Sequence, residues 1–179
     1  MELLDLAEVE AMKKGRFIVL GIGLLLVSGC GSGTDPVYAL GDPSDTDGPG
    51  LILPLVNLIG FNAPFSSTND GFDLLSQGIG TAVRSPGGGL VVGADLGSST
   101  VTLLHNAHVQ TRVQGLIPSV TVGSFIAQGA TLGTVNLASG IIHFTVLLDR
   151  SAVCPLSYLN ASGRTQLAGM AQPTTLPCM

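Results

Sequence analysis

Few side chains in this chain could do chemistry, and they fall into small groups. The densest is "STNDGFDLL", Ser67 to Leu75, where Asn69, Asp70 and Asp73 crowd around Gly71 and Phe72. One reading is a polar loop entering a strand. The other is a metal site with a piece missing, since a catalytic zinc needs three protein ligands and an open position for water. The chain has 3 histidines, at positions 105, 108 and 143. His105 and His108 share the "HNAH" turn, and His143 lies in the apolar run "GIIHFTVLLD". Ser85-Pro86-Gly87-Gly88-Gly89 has the glycines of a phosphate loop, but no Lys-[Ser/Thr] and no helix follow, so it reads as a turn. There is no Gly-x-Ser-x-Gly elbow, and no Cys/His pair suggests a thiol hydrolase.

The elements that must position these residues are short strands. From Leu51 onward, apolar runs alternate with turns: "TAVRSP", "GGGLVVGADL", "STVTLLHN", "HVQTRVQGL", "VTVGSFIAQGATLGTV" and "GIIHFTVLLD". Most are strand-length and bounded by Gly, Asn, Ser or Pro. The 25 glycines suit tight turns at positive φ. No run of ten or more residues joins good helix formers to caps, so the expected class is all-β and antiparallel, a β-sandwich or small barrel. The chain length of 179 residues allows one ordinary domain. All Lys and Glu lie in the first fourteen positions, and the formal net charge is -5. With no clustered Lys/Arg in the domain, a nucleic-acid surface is excluded.

The N-terminal segment reads as an address. In "MKKGRFIVLGIGLLLVSGCGSG", Lys13, Lys14 and Arg16 precede an apolar run from Phe17 to Val27. That run falls short of the about 20 residues a permanent span needs, and it suits an export signal. It ends in Val27-Ser28-Gly29-Cys30, which resembles the bacterial lipobox, whose cysteine is acylated and becomes the mature N-terminus. The alternative is an ordinary signal peptide with an incidental cysteine. Residues 1–30 are thus the signal, with Met12 the expected working start behind the acidic "MELLDLAEVEA". Gly31 follows the cysteine in place of the Asp that marks inner-membrane retention. This implies an outer-membrane lipoprotein facing the periplasm if the cell is Gram-negative. Residues 31–50 form a Gly/Pro/Ser/Asp linker, residues 51–160 the domain, and residues 161–179 a C-terminal tail. In an exported chain, Cys154 and Cys178 read as a disulfide holding that tail, the alternative being two free thiols. Asn160-Ala161-Ser162 fits a glycosylation sequon, which carries little weight in a bacterial lipoprotein.

Three segments, in order, resemble the lysostaphin/LytM-type zinc endopeptidases, which cut peptidoglycan cross-links. Asn69-Asp70-Gly71-Phe72-Asp73 is similar to His-x-Gly-x-Asp, and "LLSQGIGTAVRSPGGGLV" follows as in the family. "VTLLHNAHVQTRVQGL" is similar to the strand, His-Asn-x turn and strand that ends Tyr-x-His-Leu. "VTVGSFIAQGATLGTVN" matches the family's hairpin, "GIIHFTVLLD" its His-x-His motif, and "CPLSYL" its Pro-x-x-Tyr-Leu tail. The likeness covers nearly all of Leu51 to Leu159. It implies the all-β, duplicated hybrid-motif domain of that family. It also maps the three zinc ligands to Asn69, Asp73 and His143.

Measured against that pattern, the site is degenerate. Asn69 offers a neutral amide where zinc prefers imidazole. The two assisting histidines fall at Gly115 and Ile141, which have no proton to transfer. A positioned acid–base group typically contributes about 10²–10⁴ in rate, so the resemblance implies a pseudoenzyme with no catalytic residues and no resident cofactor. Zinc enters only if the vestigial trio still binds it. Asp73 and His143 are then a remnant polar pair, hydrogen-bonded to each other or to Asn69, or a weak metal site. His105 and His108 are expected as surface turn histidines, the alternative being substitute ligands. The implied partners are peptidoglycan or a cell-wall hydrolase, with the membrane reached through the lipid on Cys30. The rival implication is an active zinc endopeptidase with an altered site. A biotinyl or lipoyl carrier, whose hairpin the 120–135 segment resembles, is removed because the domain has no Lys.

Overall fold

The computed structural model describes residues 50–170 and residue 178. The signal, Cys30, Met12 and most of the linker lie outside the described residues. No described helix is long and apolar enough to cross a membrane.

Among the described residues, eleven strands build two antiparallel sheets. They are β1 (Gly60–Ala63), β2 (Phe72–Leu75), β3 (Ala82–Arg84), β4 (Gly89–Asp95), β5 (Thr100–Leu104), β6 (Val109–Gln114), β7 (Leu116–Pro118), β8 (Phe125–Ile126), β9 (Thr131–Val135), β10 (Ile141–Leu148) and β11 (Ser151–Val153). The larger sheet runs β1-β2-β10-β6-β5-β4-β8 with β11 against β10, and the smaller runs β3-β9-β7. The all-β antiparallel expectation holds.

Alternation decides which face of the large sheet is core. In β6, Val109, Thr111 and Val113 are buried while Gln110, Arg112 and Gln114 are half-buried, the period-two pattern of a strand with one dry face. The same alternation puts Phe72 and Leu74 of β2, Val101 and Leu103 of β5, and Ile142, Phe144 and Val146 of β10 inward. Val83, Leu116, Leu132 and Val135 meet them from the small sheet, and Leu51, Leu53 and Leu55 pack alongside. The opposite face of β2, β10 and β6 carries Asp73, His143 and Arg112. Register sets them side by side, since His143 pairs with Asp73 on one flank and Gln114 on the other, with Arg112 opposite Thr145.

The C-terminal tail opens with a helix, an element its polar sequence does not announce. A short 3-10 turn (Pro155–Tyr158) leads to helix α1 (Ala161–Ala168), whose Leu167 is buried. The sequon residue Asn160 is its N-cap, its side chain accepting from the Gly163 N–H at 2.8 Å. At eight residues, this helix is too short for a ten-residue criterion, and the cap and one buried leucine hold it. Cys154 and Cys178 are joined as a disulfide with their Cα atoms 5.9 Å apart. Cys178 also bridges the backbone of Phe65, just ahead of the "STNDGFD" segment.

Candidate functional site

The site lies on the open face of the large sheet, where the loop before β2 folds back over β10. Gly71 permits that approach. A Cβ there would fall 2.9 Å from His143 Nε2 and closer still to the Phe144 carbonyl oxygen, so no other residue fits without displacing β10.

Asp73 and His143 are hydrogen-bonded, Nδ1 donating to Asp73 Oδ1 at 2.6 Å. Asn69 does not join them. Its amide nitrogen donates to the carbonyls of Pro64 at 2.9 Å and Gly71 at 3.1 Å, which fixes the turn of the loop. The group on the other side of the imidazole is Asp70, whose Oδ1 accepts from Nε2 at 2.8 Å. Its second oxygen accepts from Arg112 Nη2 at 2.6 Å. Burial works to raise the Asp70 carboxyl. The hydrogen bond from His143 and the charges of Arg112 and His143 outweigh it and hold the group below the ordinary carboxylate range.

The described residues do not fit a zinc ion as they are placed. Two donors each about 2.0 Å from a tetrahedral zinc lie about 3.3 Å apart. The Asp73–His143 contact of 2.6 Å is a hydrogen bond with no room for an ion between its atoms. Among the described residues, no group of three or more His, Cys, Asp and Glu side chains is arranged to hold a metal. Asp70 engages the opposite ring nitrogen and so cannot share a point with Asp73 and Nδ1.

Gly115 and Ile141 lie together beside His143. With Leu137, Gln114 and the Ser98–Ser99 turn, they line a cleft of about 350 Å³. Leu137 and Ile141 give the lining aliphatic surface, and Ser98, Ser99 and Gln114 give it hydroxyls and an amide. Gly115 has φ +93°, and a Cβ on it would meet the Ile141 carbonyl oxygen at 2.6 Å.

The "HNAH" histidines part company. His108 is on the surface as expected, its Nδ1 2.7 Å from Asp149 Oδ1 with both side chains more than two-thirds exposed. The surface expectation fails for His105, which is 0% exposed. Its Nδ1 donates to the Gly88 carbonyl at 2.7 Å and its Nε2 accepts from the Thr111 hydroxyl at 2.8 Å. The "SPGGG" turn wraps this ring, so closely that a methyl on Gly87 would lie 3.0 Å from its Cε1. Burial pushes the His105 imidazole below its ordinary value, against the smaller upward pull of the Gly88 bond. With both nitrogens committed inside the core, His105 is no ligand.

Sequence reasoning missed Asp70 and Arg112. Asp70 occupies a variable position of the first motif, and Arg112 reaches it only through the pairing of β6 with β10. The one signal available was that Arg112 is a lone charge in an otherwise uncharged strand.

This architecture is that of the lysostaphin/LytM-type, or M23, peptidase domain. Among solved structures the chain is similar to Csd3 of Helicobacter pylori, with TM-score 0.57 and 22% identity over 64% of this chain and 34% of that one. A putative M23 peptidase from Pseudomonas aeruginosa gives TM-score 0.53 and 22% identity over 69% of this chain and 55% of that one. A chain of the SpoIIIAH–SpoIIQ complex gives TM-score 0.53 and 20% identity over 62% of this chain and 100% of that one. The chain thus spans about a third of the first structure and about half of the second. At these identities the likeness is one of fold. No family model matches the sequence, and no curated protein matches it.

Proposed function

We propose that this is a lipid-anchored protein of the bacterial envelope whose LytM-type domain binds cell-wall peptide, or regulates a cell-wall hydrolase, without cutting peptidoglycan. The observation that carries this reading is the spacing at Asp73 and His143, whose facing atoms are 2.6 Å apart. Asn69 supports it by spending its amide on backbone carbonyls. So do Gly115 and Ile141, which leave a cleft where the assisting histidines of an active enzyme belong. Likeness to a chain of a two-protein complex makes a protein partner as reasonable a target as peptidoglycan. An altered zinc endopeptidase drawing on His105 or His108 gains no support, because His105 is locked in the core and His108 is paired with Asp149.

The test is to purify the chain, measure its zinc content and incubate it with muropeptides. The expected result is substoichiometric zinc and intact muropeptides, with retention on purified sacculi or on a hydrolase above a control lipoprotein. Stoichiometric zinc with chelator-sensitive cleavage overturns the proposal. Lipid attachment is tested separately by labelling with a fatty acid, which Cys30→Ser should abolish.

A further inference from the structure

Asp70 and Arg112 belong to no motif of the sequence, yet they complete one continuous chain of side chains. Arg112 Nη2 contacts Asp70 Oδ2 at 2.6 Å, Asp70 Oδ1 contacts His143 Nε2 at 2.8 Å, and His143 Nδ1 contacts Asp73 Oδ1 at 2.6 Å. The chain crosses the sheet at β6, β10 and β2, three strands adjacent in that order. Asp70 adds the loop before β2, which lies off the sheet. Among the described residues, that loop's other side-chain bonds are internal to it: Asn69 to Pro64 and Gly71, and Ser66 to Thr68. Asp70 is therefore its side-chain tie to the strands beneath.

A zinc ion in a LytM-type site makes the same connection, since its ligands come from the segment entering β2 and from β10. Here the 2.6 Å contact of Asp73 with His143 leaves no space for the ion. The charges instead come from a guanidinium at one end and a carboxylate at the other. We propose that Asp70 and Arg112 have taken over the metal's structural job, so that the ion-pair chain braces the loop against β10 and β6 without metal. The proposal concerns how the site is held and does not rest on the ligand-binding reading above. The Asp73–His143 contact is part-buried, while Asp70 is half exposed in both of its contacts, so the brace draws on coupling among linked charges more than on burial of each pair.

The experiment is thermal unfolding of the full chain with added zinc, with chelator, and in the variants Asp70→Ala, Arg112→Met and their double. Zinc and chelator should leave the midpoint of the unsubstituted protein in place. Each single variant should lower the midpoint by about 2–4 °C, as for the loss of a partly exposed ion pair in a domain of this size. The double should fall by clearly less than the sum of the two. Amide exchange at Phe72 and Asp73 should rise at least tenfold in both single variants, with the β3-β9-β7 sheet unchanged. A midpoint raised by zinc or lowered by chelator overturns the proposal, because the metal is then the brace. Additive shifts, or no change in local exchange, overturn it as well. If the variants do not fold, the zinc and chelator comparison on the unsubstituted protein still decides it, and Asp70→Asn replaces Asp70→Ala.

Discussion

Whether the site can accept the histidines of the lysostaphin/LytM-type pattern is a sharp question, and Gly115 is the position that answers it. In the lysostaphin/LytM-type pattern a histidine stands there, so Gly115→His is the substitution that restores the pattern. The backbone refuses it on two grounds. Its φ of +93° is a conformation L-residues avoid, at a cost of about 1–2 kcal/mol. The new Cβ would also fall 2.6 Å from the Ile141 carbonyl oxygen, at the start of β10. Relieving such an overlap in a packed region costs about 1–3 kcal/mol. The sum is about 2–5 kcal/mol, or about 8–20 °C in midpoint for a domain of this size. Both terms belong to the Cβ, so Gly115→Ala should cost nearly as much as Gly115→His. Ile141→His, a half-buried residue on the cleft wall, should cost less than about 1.5 kcal/mol. The assay is urea unfolding of the four proteins followed by circular dichroism. If Gly115→Ala and Gly115→His both unfold within about 0.5 kcal/mol of the parent, the strain argument is wrong.

Three further outcomes follow from the same structure. His105→Leu leaves the Gly88 carbonyl and the buried Thr111 hydroxyl without partners, each costing about 1–3 kcal/mol, and His105→Leu/Thr111→Val should recover about 1 kcal/mol in urea unfolding; a fully additive double would refute it. The same histidine has its folded value pushed below its unfolded value by burial. Its contribution is therefore intact above about pH 6.5 and is lost progressively as pH falls below that value toward the folded one, a slope His105→Leu should remove when stability is measured from pH 8 to 5. Cys154→Ser opens a loop of sequence separation 24, which lowers stability by about 3 kcal/mol in the chain-entropy model, and addition of reductant to the parent should reproduce the loss.

Much of the fold was legible because strand patterns are local. The alternation in "HVQTRVQGL" and "STVTLLHN" names both the strand and its dry face before any partner is known, since side chains alternate with a period of two. Gly71 and Gly115 were visible as motif positions, but the reasons only glycine fits at each are contacts with Phe144 and Ile141, in a strand that begins far along the chain. His105 was misplaced on the surface for a related reason. A histidine beside an Asn-Ala-His turn reads as exposed. It is buried because β4 pairs with β5 and brings the glycines of the "SPGGG" turn over its ring. Helix α1 escaped notice because its stability comes from the Asn160 cap and the burial of Leu167, not from an amphipathic pattern.

By itself, the sequence determined that the domain is built of antiparallel strands, that the order of its motifs follows the LytM-type pattern, and that Asn69, Gly115 and Ile141 stand where histidines are expected. Those are statements about residue type and spacing, which a linear chain carries whole. Only the tertiary structure decided what became of the remaining polar groups. Asp73 and His143 close to 2.6 Å, Asn69 turns to its own loop, and Asp70 and Arg112 enter the site. The physical reason is that a hydrogen bond or ion pair is set by the register of β2 and β6 on either side of β10. Register is a property of how distant segments pair, and no single segment contains it.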